Sequence, residues 1–149
     1  MIVDRFEKQM KRFMKELIPS QALLFQRRIA YELFRRFILR TPRDRGDARN
    51  GWQMTVGYAP SAKKINKNNL TDGEKAIATV RVNQDIWITN NVPYINVLDQ
   101  GLFRPKNPGP SSDKRSGRKG RVLVKNGFSI QAPRGIIKPT LEEVLTIFR

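Results

Sequence analysis

Residues 86–101 read IWITNNVPYINVLDQG, and the order of residue types along them sets the architecture expected of the whole chain. Ile86, Ile88 and Asn90 alternate with Trp87 and Thr89, which is the two-residue period of a strand with apolar groups on each face. Asn90 and Asn91 tolerate turn conformations, while Pro93 fixes its own φ and biases Val92 towards extended geometry, so the chain must change direction. Tyr94, Val97 and Leu98 then fall at i, i+3 and i+4, the spacing of a short helix, with Gly101 as its C-terminal stop. A strand, a sharp corner and one or two helical turns are thus packed into sixteen residues.

Upstream, residues 52–58 (WQMTVGY) alternate as a strand in which Trp52, Met54 and Val56 share the face that should meet helices. Residues 59–75, rich in Pro, Ser, Lys, Asn and Gly, read as a connection or lobe. Residues 76–82 (AIATVRV) alternate again and predict a second strand, with 83–85 as the turn into the third. Before this sheet come two helices. Over residues 1–18, Val3, Phe6, Met10, Phe13, Met14 and Leu17 recur at helical steps, either as a core-facing seam or as an arm that docks on a neighbouring subunit. Pro19 interrupts the pattern as a kink or a new start. Over 21–39, Leu23, Ile29, Ala30, Leu33, Phe34 and Phe37 form one arc, and Arg27, Arg28, Glu32, Arg35 and Arg36 the other. The basic arc reads as a solvated face, a set of subunit salt bridges or a DNA contact.

Downstream, residues 102–121 (LFRPKNPGPSSDKRSGRKGR) have no periodic apolar face and should not pack into an element alone. Between 104 and 125 lie eight bases, Arg104, Lys106, Lys114, Arg115, Arg118, Lys119, Arg121 and Lys125, against the single acid Asp113. The stretch reads either as a solvated loop or as one that reaches DNA or an acidic protein ring. It lacks aromatics and a helix to place in a groove, so any DNA contact would be to phosphate and salt-dependent. Residues 121–125 and 128–132, separated by Asn126-Gly127, carry a strong hairpin signal, because that dipeptide supplies the positive φ values of a two-residue type I′ turn. From Pro139, Thr140 with Glu143 makes a capping-box pattern, and Leu141, Val144, Leu145 and Phe148 give the stripe of a last helix.

The expected fold is α+β in one domain: two N-terminal helices and a C-terminal helix packed on a small, mainly antiparallel sheet with a long basic loop. Residues 1–40 form the helical arm, 41–101 and 121–138 the sheet core, 102–120 the basic loop and 139–149 the last helix. At 149 residues the core is real but modest. Lys and Arg number 29 against 13 Asp and Glu, a net charge of +16 that favours nucleic acid or an acidic protein surface as partner. No apolar run approaches the roughly 20 residues of a membrane span, and the N-terminus lacks a signal-peptide pattern, so no membrane partner and a cytoplasmic origin are expected.

Chemistry is poorly provided for. The sequence has no His and no Cys, which removes the usual general base near neutral pH, the thiol nucleophile and most zinc sites. Asp44 with Asp47, Glu142 with Glu143, and Asp85 and Asp99 are the only carboxylates that could work in pairs, and each has a structural role available as cap, turn former or ion-pair partner. No glycine-rich phosphate loop is present. Two carboxylates holding Mg²⁺ are the remaining enzymatic alternative; otherwise no catalytic, cofactor-binding or metal-binding residue is expected.

Three segments carry a resemblance. The pattern ITN…PYI..LDQG within 86–101 resembles a block of the neck and tail-completion (head-tail joining, minor tail protein Z-like) family of long-tailed bacteriophages. Residues 41–52 (TPRDRGDARNGW) resemble that family's TP-x-D-x-G-x-x-R-x-x-W segment, and residues 131–136 (QAPRGI) its QAP-x-G segment. Arg43 and Arg45 stand where the family often has an apolar residue and Thr, and Asp99-Gln100 where it often has Glu-Tyr. By this resemblance Thr41, Pro42, Asp44, Gly46 and Trp52 shape one corner, Asn90, Pro93, Tyr94 and Gly101 a second, and Pro133 and Gly135 the third segment. It implies a virion structural protein at the head-tail joint, made in the host cytoplasm, that assembles with itself as a ring of six. Its other partners would be a head-completion or connector protein, a tail terminator or tail tube protein, and the genome DNA, with Arg104, Lys106, Lys114, Arg115, Arg118, Lys119 and Arg121 as the phosphate or partner contacts. A tail terminator and a basic protein that binds DNA without sequence preference are the alternatives.

Overall fold

Pro19 divides the helical part of the chain. Its ring removes an amide that a continuing helix would need and holds Ile18 extended, at φ −67° and ψ 154°, so one helix closes and another opens with the proline in its first turn. These are α1, Ile2–Met14, and α2, Pro19–Arg40. In the computed structural model, which describes residues 1–43, 46–102 and 124–148, they are followed by α3 (Asp47–Asn50), β1 (Trp52–Val56), α4 (Asn69–Ala78), β2 (Ile86–Asn90), α5 (Ile95–Gln100), β3 (Val124–Lys125), β4 (Phe128–Ser129) and α6 (Ile137–Ile147). The fold is α+β.

α2 is the spine. Ile29, Ala30, Leu33, Phe34, Phe37 and Ile38 are buried along it, an arc close to the one the sequence marks out, while Leu24 and Leu39 stay exposed on the opposite side. β1 and β2 pair antiparallel, with Trp52 opposite Asn90, Met54 opposite Ile88 and Val56 opposite Ile86. Trp52 and Met54 are buried in the core against α2, and the Trp52 ring stacks on Phe37 with centroids 5.0 Å apart. The strand read over 52–58 ends at Val56, before the left-handed Gly57 at φ 82°, and the alternation of 52–56 and 86–90 puts Trp52 and Met54 in the core with Ile86 and Ile88 packed partly buried against it. From the other side, α6 contributes Leu141 and Val144 to the same core, together with Ile136 just before it.

The strand expected at 76–82 is not formed. Residues up to Ala78 belong to α4, which begins inside the segment read as a loop and packs on both α2 and β1. Asn69, Gly73, Ile77 and Val80 are buried, and their three- and four-residue spacing is that of a helix face. The short alternating run AIATVRV is compatible with either period, and its burial against α2 decides for the helix. Arg27 of α2 then donates to the carbonyls of Val80 (2.6 Å) and Ala78 (3.4 Å), closing the end of α4. Gln26 likewise donates to the Gln84 carbonyl at 3.0 Å. Residues 79–85 are thus tied to α2, and among the described residues the β1–β2 sheet has two strands instead of three.

Other boundaries are adjusted by neighbours. α5 stops where expected, at Gly101, whose φ of 68° is left-handed. The Asn126-Gly127 turn has φ values of 53° and 82°, as a type I′ hairpin requires, although its described ladder is only two residues per strand. α6 starts two residues ahead of Pro139, so Thr140 is no N-cap: its hydroxyl donates back to the Ile136 carbonyl at 2.7 Å, and Glu143 turns to arginines of α2. The expected capping box is not made. α1 lies against α6 at the margin of the core, with Ile2, Phe6 and Met10 partly buried and no residue fully so. Beside it Phe13 stacks on Phe25 at 4.6 Å, and Phe25 meets the edge of Phe148 at 5.2 Å.

Candidate functional site

The segments 41–52, 86–101 and 131–137 lie far apart in the chain, and the fold brings them into direct contact. The first is organised by Thr41, which the following proline holds extended, at φ −65° and ψ 126°, at the end of α2. Its side chain is fully buried. The hydroxyl donates to the Phe37 carbonyl at 2.6 Å and accepts the Trp52 indole N–H at 2.7 Å. The Thr41 carbonyl accepts two bonds from Arg49, at 2.9 and 3.2 Å, and a third from Arg49 reaches the Leu39 carbonyl at 3.3 Å. One guanidinium thus satisfies the last carbonyls of α2 and brings positive charge to the negative end of its dipole. Gly46, buried and at φ 96°, leads into α3.

Asn90 joins the second segment to the first. Its amide donates to the Ala48 carbonyl at 2.7 Å, and its oxygen accepts the Val92 amide at 3.1 Å, a local turn that starts the corner before Pro93. Asn91 donates to the carbonyls of Pro60 (2.8 Å) and Ala62 (3.1 Å), fastening the chain that follows β1 to the same corner. Val92 is buried, whereas Pro93 and Tyr94 stand on the surface.

The third segment closes on both others. The Gln131 side chain accepts the Arg43 amide at 2.8 Å and donates to the Arg43 carbonyl at 3.2 Å, so one carboxamide satisfies both peptide groups of one residue. Asp99 Oδ1 accepts the amides of Ile136 (2.9 Å) and Ile137 (2.7 Å), capping α6 from α5 with a carboxylate at the positive end of the helix. Gly135, at φ 83°, is packed so closely on the Asp99 carbonyl that a Cβ would overlap it. At the hairpin, Gly127 meets the Gly101 carbonyl in the same way, which brings the residues on either side of 102–124 together.

Thr41, Gly46, Trp52, Asn90, Gly101 and Gly135 are therefore parts of one junction, while Pro42 and Pro133 flank it and Tyr94 is half exposed beside it. Asp44 and the bases Arg104, Lys106, Lys114, Arg115, Arg118, Lys119 and Arg121 lie outside the described residues. Sequence reasoning missed Asn69, quoted Arg49 and Gln131 only as letters of the resembling segments without their bonds, and offered Asp99 a structural role without naming α6 as the helix it caps. Asn69 is buried and donates to the carbonyls of Arg49 (3.0 Å) and Trp52 (3.2 Å), which binds α4 to the first corner. The one available signal was a polar residue in register with Gly73 and Ile77.

The carboxylates near this junction act as structural groups. Asp99 caps α6; Glu142 pairs with Arg134 at 2.9 Å; Glu143 pairs with Arg36 at 2.8 Å and with Arg40. Partial burial pushes the Glu143 carboxyl up, but the hydrogen bonds and charges of Arg40 and Arg36 outweigh it and hold the group below the ordinary carboxylate range. Burial first, and then a hydrogen bond to Glu74, raises the Tyr31 phenol above its ordinary value. Three arginines of the basic arc are engaged within the chain: Arg27 on α4, Arg36 on Glu32 and Glu143, and Arg28 over the Phe148 ring at 5.8 Å. Among the described residues no three His, Cys, Asp or Glu side chains converge as metal ligands, and no helix is long and apolar enough to cross a membrane.

Compared with protein-family models, curated proteins and solved structures, the chain finds no match.

Proposed function

We propose that this chain is a structural protein of the bacteriophage head-tail joint, a neck or tail-completion protein that closes into a ring between the head connector and the tail. The observation that carries the reading is the three-way junction. The segments that resemble the family are separated by tens of residues, yet each touches the other two through Asn90 and Ala48, Gln131 and Arg43, and Asp99 and Ile136. Segments that share a pattern with one family and are joined in one hydrogen-bonded unit are what a common framework predicts, and scattered coincidences would have no reason to meet; two of the links run through Arg43 and Asp99, where the residue types depart from the family's, the Arg43 link through its backbone alone.

The mechanism is geometric. Copies related by rotation bury complementary patches head to tail and close a ring of six around a channel for the genome. The junction keeps its two corners rigid, so the surfaces beside them, including Tyr94 and the ends of residues 102–124, are presented at fixed angles to neighbouring rings. The net charge of +16 suits a channel that holds DNA by phosphate alone, since reading bases would hinder sliding. The same charge favours a second reading, a free protein that binds duplex DNA without sequence preference.

The test is electron microscopy of a lysate from a phage carrying this gene with only this gene deleted. Filled heads beside detached, full-length tails support the joint. Overlong tails would assign the chain to tail termination instead, and intact joined particles would overturn both and leave the DNA-binding reading.

A further inference from the structure

One face of the β1–β2 pair is turned away from the core. Trp52, Met54, Ile86 and Ile88 face inwards, so the alternation of the strands puts Gln53, Thr55, Trp87 and Thr89 on the outer side, with Gln53 opposite Thr89 and Thr55 opposite Trp87. After β1 the left-handed Gly57 turns the chain back across that side. The Thr55 hydroxyl donates to the Tyr58 carbonyl at 2.5 Å, Gln53 donates to the Ala62 carbonyl at 3.0 Å, and Asn91 holds the carbonyls of Pro60 and Ala62. Residues 58–62 are therefore fastened over the outer face, and the Thr89 hydroxyl on it is shut off from solvent.

This reversal leaves two large rings uncovered as neighbours. Thr55 is the cross-strand partner of Trp87 and also holds the Tyr58 carbonyl, so both aromatic residues flank one side chain. Trp87 is 42% exposed and Tyr58 64%. From Tyr58 the chain runs on to Lys63, Lys64 and Lys67, all exposed, and residues 58–71 contain no acid. The five residues from Tyr58 to Lys63 span at most about 17 Å, so rings and charges belong to one strip. Asp85, two residues before Trp87, bounds the strip beyond the rings, and Asp72 beyond the lysines accepts the Asn66 amide at 2.6 Å.

We infer that the outer face of β1 and β2 is a binding site for a single-stranded polynucleotide, with Trp87 and Tyr58 stacking on unpaired bases and Lys63, Lys64 and Lys67 meeting the phosphates. Lysines alone serve any polyanion, and exposed rings alone serve any apolar surface. An unpaired strand presents base faces and phosphates along one chain and uses both. A duplex keeps its base faces inside the stack, and an acidic peptide has none. Stacking on base faces is tolerant of sequence, so the site takes any sequence. The inference stands apart from the head-tail reading, in which duplex DNA is held by phosphate alone, and it uses none of that reading's premises.

Trp87 supplies the readout. Trp52, the other tryptophan, is 3% exposed and stacked on Phe37, so quenching of the emission by a base reports Trp87. Titration of the purified full chain with an oligothymidylate about 16 nucleotides long should quench the emission to saturation. Trp87→Ala and Tyr58→Ala should each weaken binding of a labelled oligothymidylate, followed by anisotropy, by about 5- to 150-fold, and Trp87→Phe, which keeps a ring, by less. Lys63→Ala combined with Lys64→Ala should flatten the slope of log affinity against log salt by about 1.4. Tyr58 and both lysines are exposed, so these variants should keep the melting transition of the native chain. An oligothymidylate that does not bind, that binds without quenching, or that binds Trp87→Ala and Tyr58→Ala as well as the native chain would overturn the inference. So would a duplex of the same length, or polyglutamate, that competes as well as the single strand; the latter would mark an acidic protein as the partner. None of these results bears on the lysate experiment, so failure of this site and failure of the joint reading are distinguishable.

Discussion

Replacing Thr41 with Val keeps the shape of the side chain and removes its hydroxyl, which isolates the polar part of the first corner. In the native chain that hydroxyl is the acceptor for the Trp52 indole N–H at 2.7 Å, in a site with no solvent access to Thr41. The Phe37 carbonyl keeps another donor after the change, the Thr41 amide at 3.1 Å, so its loss is small. The main penalty is a buried indole N–H without an acceptor, about 1–3 kcal/mol. For a chain of 149 residues, a destabilisation of about 2 kcal/mol should lower Tm by about 4–8 °C. Thermal and urea unfolding of Thr41→Val, Trp52→Phe and the double variant measure it. Trp52→Phe removes the donor as well as some packing on Phe37, so the double variant should be less destabilised than the sum of the singles by about 1 kcal/mol. Strict additivity, or a Tm lowered by less than about 1 °C in Thr41→Val, would refute the role assigned to this pair.

Asp99→Ala removes the acceptor for two amides at the start of α6 and should destabilise the chain by about 1–2 kcal/mol in urea unfolding, whereas Asp99→Asn keeps an acceptor and should lose less. Equal losses would mean that the cap works through charge alone. Glu143 sets a pH dependence. Its carboxyl is lower in the folded chain than in the unfolded one, so its contribution is complete above the ordinary value of 4.5 and is lost as pH falls through the native value. The stability difference between the native chain and Glu143→Gln should therefore be constant near neutral pH and shrink in acid; a difference that grows in acid would reverse the sign of the argument. Deleting residues 106–118 should leave the melting transition in place and block joining of heads to tails in complementation, while a lost transition would make that stretch part of the core.

What was legible in the sequence follows from what each element depends on. β1, β2 and α5 were readable because alternation, Asn-Asn-x-Pro and Gly101 encode strand, corner and stop locally. The Asn126-Gly127 hairpin was readable for the same reason. α4 was misread because the residues that make it a helix, Asn69, Gly73 and Ile77, earn that status only by facing Phe34 and Trp52, and because its end is closed by Arg27 some fifty residues upstream. α6 began earlier than its own capping signal suggested, since Asp99 supplies the cap from another element. The resemblance picked out the corners but not Gln131 and Arg49 as their fasteners, because a side chain that bonds a distant peptide leaves no periodic trace.

The distant cap on α6 also orders events in time. A helix of eleven residues is marginal by itself in water, and this one finds both its N-terminal acceptor and the arginines that hold Glu143 in elements synthesised before it. On the ribosome, α2, the β1–β2 pair and α5 emerge as an incomplete template whose Phe34 is still without Leu141 and Val144 beside it. Arrival of α6 converts that template into a closed body, so the transition from soft to rigid corners comes last. A chain built in this order has firm corners only after its own core is complete, so a truncated chain lacking α6 would present the three joined segments without the helix that locks them.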